Sequence, residues 1–216
     1  MKKLKKILIL IFISIICSCK VINERITSNI NKIIFIDPGH GGKDNGTSYN
    51  DIYEDELNLK LSFILYEILL KENYQCYLTR VNDYDLSSTY AKNHKIEDLK
   101  KRVEYINNFH TDLLISLHLN YYPSSNVNGI QVFYKTNDEN SYNIANELQN
   151  KLNELNTKSK KIKKGNFYIL NNINNSGVLI EYGFLSNDYD RLKLQDKKYL
   201  TKLAITIKDG IKQCIK

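Results

Sequence analysis

The chain has few of the residues that interrupt or cross-link a fold. Its 216 residues include only two prolines and four cysteines, and it has no tryptophan. Without proline-rich or low-complexity stretches, nothing after residue 32 is typical of a long linker. The hydrophobic content of 42% is enough, at this length, for one well-buried domain and too little for two large ones. The sequence therefore predicts one domain.

The small number of cysteines excludes a disulfide scaffold and a cysteine-based metal site. Cys17 and Cys19 lie in an N-terminal segment that resembles an export signal, so only Cys76 and Cys214 remain for the domain. Two cysteines form neither a disulfide framework nor a CxxC metal site. Cys76 lies in a predicted strand, and we expect it to be a small core residue.

The N-terminal segment is interpreted as a targeting sequence. Four lysines among the first six residues precede the apolar run ILILIFISII, and CSCK follows. This order is typical of an export signal, and the run is shorter than the roughly 20 residues that span a bilayer. Ile16 and Ser18 before Cys19 also resemble a lipoprotein signal, and an uncleaved membrane anchor is the alternative. In both cases we expect an extracytoplasmic domain, either membrane-anchored or secreted.

The basic net charge does not indicate binding to nucleic acid. The formal net charge is +7, but four of the lysines lie in the export signal. The other charges, of both signs, are spread along predicted helices such as EDLKKRVEY, which is the pattern of a solvated face. The basic cluster KSKKIKKG is interpreted as an exposed loop. Contact with an anionic wall polymer or a membrane surface is the alternative for this cluster.

Apolar strands alternate with amphipathic helices along the rest of the chain. Strands are predicted in KIIFID, YQCYLT, DLLISLHL, GIQVFY, NFYIL and GVLIEY. Apolar residues recur at helical spacing in residues 56–71, 96–107, 144–155 and 200–211. This alternation is typical of a parallel sheet with helices on its faces. We therefore expect an α/β fold of three layers, with a mostly parallel central sheet of about six strands and helices on both faces.

Three side chains suited to catalysis or metal binding come at the ends of predicted strands. His40 follows the first strand in PGHGG, His118 lies near the end of LLISLHLN, and Glu181 lies in VLIEYGFLSN. Sites in open α/β sheets form beyond the carboxyl ends of the strands, so we expect these side chains to meet. A carboxylate that follows an apolar run is costly unless it is paired, metal-bound or facing a cavity. Imidazole and carboxylate suit zinc, although a histidine satisfied in the core is the alternative for His118.

Sequence motifs of several other catalytic sites are absent. GHGG opens onto neither GxGxxG nor GxxxxGK[ST], so a phosphate-binding loop is unsupported. The chain has no HExxH motif, which excludes the common helical zinc-protease site. It also has no GxSxG elbow, which excludes the usual serine nucleophile of α/β-hydrolases.

Four segments together resemble the zinc-dependent N-acetylmuramoyl-L-alanine amidases in order and spacing. They are IDPGHGG, EDELNL, DLLISLHLN and VLIEYGFLSN, and the resemblance covers about residues 32–215. The segments TKSKKIKKGNFYILNN and EDLKKRVEYIN are similar to the germination-specific subtype of spore-forming bacteria. Tyr182 departs from the family pattern, because many relatives carry a small residue or threonine there. Because of this departure, the sequence does not determine the shape of the pocket.

The resemblance implies the composition and the reaction of the site. One Zn²⁺ ion would be held by His40, Glu54 and His118, and Glu56 is the competing candidate for the carboxylate ligand. The alternative for Glu56 is a place near the positive end of the helix dipole. Glu181 would be the catalytic residue, taking a proton from water and delivering it to the departing amine. The substrate would be the amide between N-acetylmuramic acid and L-alanine in peptidoglycan.

The resemblance also implies a domain organisation and a biological role. Residues 1–19 would be the export signal or membrane anchor, residues 20–31 a short linker, and residues 32–216 the zinc amidase domain. The subtype implies spore cortex maturation through muramic-δ-lactam, needed for germination, in the space between the forespore membranes. The partners would be peptidoglycan and, through the N-terminus, the membrane; an activating protein is left open. The alternatives are a general autolysin, a carboxypeptidase-like zinc hydrolase of the stem peptide, and a non-catalytic wall-binding module.

Overall fold

A six-stranded sheet organises residues 32–215, the part of the chain that this computed structural model describes. Its strands are β1 (Ile33–Pro38), β4 (Gln75–Leu78), β5 (Leu113–Asn120), β6 (Gln131–Lys135), β7 (Lys163–Gly165) and β8 (Gly177–Phe184). They lie in the order β4-β1-β5-β8-β6-β7, and all neighbours are parallel except β6 and β8. A separate hairpin consists of β2 (Ser48–Tyr49) and β3 (Ile52–Tyr53). The predicted α/β fold with a mostly parallel sheet is confirmed.

Helices cover both faces of the large sheet. One face packs against α1 (Glu54–Lys71), α3 (Glu139–Leu152) and α6 (Lys197–Cys214), and the other against α2 (His94–Asn107) and α4 (Tyr168–Asn172). A 3₁₀ turn (Asn153–Leu155) follows α3, and α5 (Asp188–Leu194) follows β8. Successive strand residues point to opposite faces, so the apolar runs of β5 and β8 supply both cores. The three predicted layers are therefore present.

Of two neighbouring predictions near residue 165, one is wrong and the other is wrong in part. NFYIL does not form a strand, because Tyr168–Asn172 is a short helix. The outer strand of the sheet is instead Lys163–Gly165, inside the cluster KSKKIKKG that was predicted to be an exposed loop. A five-residue apolar run is too short for periodicity to separate a strand from a buried helix. Lysines suit the outer strand because charged side chains discourage further strand pairing at an edge.

The charged helix α2 does not have the uniformly solvated face that its sequence predicts. Lys100, Lys101 and Glu104 are exposed, but Asp98 and Arg102 are buried. The Arg102 guanidinium donates a hydrogen bond of 2.8 Å to the Asp98 carboxylate one turn away. The pattern of alternating charges therefore conceals a buried ion pair, which lies beneath the candidate site.

The predicted export signal and linker, residues 1–19 and 20–31, lie outside the described residues. Within residues 32–215, no helix combines the length and the hydrophobicity needed to cross a membrane. The prediction for Cys76 is confirmed, because its side chain is buried in β4 and its thiol is free.

Candidate metal centre and active site

The loop after β1 holds His40 in an unusual backbone conformation. His40 has a φ angle of 62°, and Gly41 and Gly42 also have positive φ angles. Gly39 allows a close approach to β5, because a Cβ atom there would lie 2.2 Å from Cε1 of His118. The two imidazole rings consequently lie edge to face with centroids 4.9 Å apart. Gly39 is thus needed to bring the two histidines together, because a side chain there would collide with His118.

Two buried arginines fix the backbone of this loop. Arg80 donates to the carbonyl oxygens of Pro38 and Gly39 at 3.0 and 3.1 Å. Arg102 donates to the carbonyl oxygens of Pro38 and His40 at 2.8 and 2.6 Å. Buried carbonyl groups are costly without hydrogen-bond partners, so these contacts stabilise the left-handed conformation at His40. The arginines support the site through the backbone.

Asp37, the residue before Pro38, forms an ion pair with one of these arginines, Arg102. Its carboxylate accepts hydrogen bonds from Arg102 at 2.8 Å, Thr79 at 2.6 Å and Ser116 at 2.7 Å. Burial alone would raise the pKa of Asp37, but the Arg102 charge and the two hydroxyl groups lower it to about 2. The carboxylate is therefore ionised at neutral pH and anchors β1 to β4, β5 and α2.

The side chains of His40, Glu54 and His118 converge at the carboxyl edge of the sheet. One nitrogen or oxygen atom from each residue lies within 4.8 Å of the others, a spacing that could hold a metal ion. Oε1 of Glu54 lies 3.2 Å from Nε2 of His40 and 3.2 Å from Nδ1 of His118. Glu54, the first residue of α1, is buried, whereas Glu56 is exposed on the same helical turn. The geometry therefore favours Glu54 over Glu56.

Both oxygens of the Glu54 carboxylate are fixed by hydrogen bonds. Oε2 accepts from the backbone N–H of Thr47 at 2.8 Å, and Oε1 accepts from that of Leu119 at 2.9 Å. The amide of Asn58 also donates to Oε1 at 3.4 Å, and Asn58 itself accepts from the Tyr182 hydroxyl at 2.8 Å. Tyr182 is buried in the core beneath α1. Tyr182 therefore supports Glu54 and does not line the pocket.

Asp44 orients the ring of His40 from the other side. Its carboxylate lies 3.0 Å from Nδ1 of His40, while Nε2 faces Glu54. Burial would lower the pKa of His40, but the hydrogen bonds to Asp44 and Glu54 outweigh it and raise the pKa to about 9. Histidine ligands of metals commonly donate their second N–H to a carboxylate in this way, which leaves the other nitrogen for the ion. The arrangement fits a zinc site.

Glu181 lies beside this cluster with an unsatisfied oxygen. It is the direct neighbour of His118 in the pairing of β5 and β8. Its Oε2 atom is buried without a hydrogen-bond partner among residues 32–215. Burial raises the pKa of Glu181 to about 7. The side chain lines a cavity of about 280 Å³ together with His40, Glu54 and His118. A buried carboxyl group without a partner is costly, and it suits a group that exchanges protons with a bound molecule.

The structure thus brings together all four side chains that the sequence singles out, while their roles as ligands and base remain predictions. Sequence reasoning missed the supporting residues Asp37, Asp44, Asn58 and Arg102. One of them carries a usable signal, because Asn58 follows Glu54 by four residues, one helical turn later.

Comparisons with known proteins agree with this geometry. A family model for N-acetylmuramoyl-L-alanine amidases matches residues 34–213. The chain is 36% identical over 187 residues to the germination-specific N-acetylmuramoyl-L-alanine amidase of Bacillus subtilis (strain 168), a match covering 83% of this chain and 78% of the relative.

Solved structures show the same similarity. The CwlD amidase from Clostridioides difficile, solved in complex with the GerS lipoprotein, matches with a TM-score of 0.81 and 32% identity over 85% of this chain and 98% of that one. The catalytic domain of CwlV, an N-acetylmuramoyl-L-alanine amidase from Bacillus (Paenibacillus) polymyxa var. colistinus, matches with a TM-score of 0.74 and 29% identity, covering 84% and 97%. These matches confirm the resemblance found in the sequence: the chain is an enzyme of the N-acetylmuramoyl-L-alanine amidase family.

Proposed function

We propose that the chain uses one Zn²⁺ ion to hydrolyse the amide between the lactyl group of N-acetylmuramic acid and L-alanine in peptidoglycan. The proposal rests on Glu181, a buried carboxyl group with an unpartnered oxygen in the same cavity as His40, Glu54 and His118. Membership of the amidase family supports the class of reaction.

The donor atoms suit zinc in a catalytic site. Two imidazoles and one carboxylate are a common set of three protein ligands, and they leave a position for water or substrate. Nε2 of His40, Oε1 of Glu54 and Nδ1 of His118 would hold the ion, because these atoms already face one another. When bound, zinc polarises a carbonyl oxygen and lowers the pKa of a coordinated water molecule.

Glu181 is the group that moves protons in this proposal. Its pKa of about 7 allows it to accept a proton from water near neutral pH and then to donate it. The departing amine of L-alanine needs that proton, because an unprotonated amide nitrogen is a poor leaving group. Burial of the Glu181 carboxyl group therefore supports both the uptake of a proton from water and its delivery to the amine.

The biological setting is proposed from the relatives. The relative in Bacillus subtilis is germination-specific, and we infer that this chain removes peptides from muramic acid in spore cortex before muramic-δ-lactam forms. Residues 1–19 are proposed to carry the domain across the cytoplasmic membrane or anchor it there. The Clostridioides difficile relative was solved with a lipoprotein, so a lipoprotein is the class of partner that we propose.

Product analysis tests the proposed reaction. Peptidoglycan digested with the zinc-loaded protein is separated by chromatography, and the fragments are identified by mass spectrometry. We expect intact stem peptides with a free L-alanine amine and glycan without peptide, and no such products with a chelator. Cleavage inside the stem peptide would instead identify a carboxypeptidase-like hydrolase.

The spore role needs a separate experiment. Cells that lack the protein should grow and form spores, but their cortex should lack muramic-δ-lactam and the spores should fail to complete germination. Normal lactam content combined with defects in growing cells would identify a general autolysin. That result would leave the proposed reaction unchanged.

A further inference from the structure

The cavity that His40, Glu54, His118 and Glu181 line is called the catalytic cavity. A second cavity, the lysine cavity, lies next to it. Its volume is about 620 Å³, and it opens between the ends of β5, β6 and β8 and the strand β7. Its lining combines aromatic rings with ammonium groups, contributed by Tyr122, Phe133, Phe184, Lys160, Lys161 and Lys163. Among its lining residues there is no aspartate or glutamate.

Two contacts join the lysine cavity to the catalytic cavity. The ring of Phe133, which lines the lysine cavity, packs edge to face on Phe167 with centroids 5.1 Å apart, and Phe167 lines the catalytic cavity. Gln131, another lining residue, is the strand-pairing neighbour of Glu181. A molecule that reaches Glu181 from this side therefore passes over the lysine cavity.

Two of the three ammonium groups of the lysine cavity, those of Lys161 and Lys163, are not neutralised by neighbouring carboxylates. Within residues 32–215, neither Lys161 nor Lys163 forms an ion pair, and both side chains are exposed. Lys160 is half-buried and donates to the carbonyl oxygen of Gly129 at 2.9 Å. Burial lowers the pKa of Lys160; the Asp190 charge opposes this shift, and the smaller effect of the Lys163 charge adds to it. Lys161 and Lys163 are therefore the ammonium groups that are available to an anion in the cavity.

We propose that the lysine cavity binds the peptide half of the substrate by pairing Lys161 and Lys163 with free carboxylates of that peptide. This inference rests on the proposed function, since it assigns a binding site to the peptide on one side of the scissile amide. The lactyl carboxyl of muramic acid is consumed in that amide, so the free carboxylates of the substrate lie on the peptide. The aromatic rings of the cavity add apolar contact area for the peptide chain.

Exposed lysine–carboxylate pairs are individually weak, so the expected effect is moderate and depends on salt. Loss of both lysines should weaken binding of the peptide by about tenfold at low ionic strength. Lys164 provides a matched control, because it is the next residue of β7 and does not line the cavity. Successive strand residues point in opposite directions, so its charge faces elsewhere.

Calorimetric titration tests this proposal with the zinc-loaded full chain carrying Glu181→Gln, which binds without cleaving. The probes are a stem peptide with free carboxylates and the same peptide with those carboxylates converted to amides. We expect the free acid to bind about tenfold more tightly. The preference for the free acid should disappear when Lys161→Gln and Lys163→Gln are added together to Glu181→Gln. It should persist when Lys164→Gln is added instead.

Equal binding of the two peptides would overturn the proposal, as would equal losses in the lysine variants and the Lys164→Gln control. Unchanged peptide binding with lost binding to anionic lipid vesicles would also overturn it and assign the lysines to a membrane surface. The test is separable from the proposed function. If the wild-type protein releases no L-alanine-terminated peptide but the preference is present, the proposed reaction fails and the anionic subsite stands.

Discussion

The hydroxyl group of Tyr182 donates a hydrogen bond of 2.8 Å to Asn58, and both side chains are buried. The Asn58 amide donates in turn to the carbonyl oxygen of Gly39 at 3.1 Å and to Glu54 at 3.4 Å. Tyr182 thus supports both the carboxylate of the candidate metal centre and the loop that presents His40. Tyr182 is therefore tied through Asn58 to the carboxylate that is proposed as a metal ligand.

Removing the Tyr182 hydroxyl should weaken zinc binding without unfolding the protein. Tyr182→Phe keeps the ring in the core but leaves the Asn58 oxygen buried without its partner. Residues that orient metal ligands typically change metal affinity by about 10–100-fold. We expect a loss of about tenfold in zinc affinity, measured by competition with a chromophoric chelator.

Tyr74→Phe is the matched control for that experiment. Tyr74 is also buried, but its hydroxyl has no hydrogen-bond partner among residues 32–215. Zinc affinity should be unchanged in this variant. Equal zinc affinities for Tyr182→Phe and Tyr74→Phe would show that the bond to Asn58 does not position Glu54.

Glu54 and Glu56 should respond very differently to amide substitution. Glu54→Gln removes a buried charge beside His40 and His118, so we expect zinc affinity to fall by more than the roughly 10–100-fold typical of supporting residues. Glu56→Gln changes an exposed residue of the first helical turn and should cost only a weak interaction with the helix dipole. The metal content of both purified variants is measured by atomic emission. Equal zinc loss in both would contradict the assignment of Glu54.

Asp37 should make the free energy of unfolding depend on pH in the acidic range. Its pKa is lowered from 3.8 to about 2 in the folded protein, so its stabilising contribution is complete above about pH 4 and is lost as the pH falls toward 2. The shift corresponds to about 2 kcal/mol. The difference in unfolding free energy between wild type and Asp37→Asn, measured with urea, should therefore shrink between about pH 4 and 2. A difference independent of pH would show that Arg102 does not hold this carboxylate ionised.

The parts of the fold that could be predicted are those whose signal is local. The apolar runs of β1, β5 and β8 identify buried strands, and the topology rule then places His40, His118 and Glu181 at one edge. The choice between Glu54 and Glu56 depends instead on which side of α1 faces the sheet. Motif register favours Glu54, but both glutamates lie within one turn, and only the structure shows that Glu54 is buried and Glu56 is exposed.

Other features were not predictable because they depend on distant partners. Asp98 and Arg102 have the spacing of a solvated ion pair, and only the packing of α2 on Asp37 buries them. The hydrogen bond between Tyr182 and Asn58 joins positions 124 residues apart. Charge and periodicity predict only local structure, whereas these contacts are created by tertiary packing.

The central claim is that Glu181 moves protons while a separate cluster holds the metal, and the variant Glu181→Gln tests it most directly. Zinc content, thermal unfolding and release of stem peptides from peptidoglycan are measured for this variant, for wild type and for His118→Ala. We predict that Glu181→Gln keeps one zinc ion and its fold but loses about 10²–10⁴-fold in turnover, whereas His118→Ala loses both zinc and turnover. Near-normal turnover of Glu181→Gln would contradict the claim and show that another group activates the water.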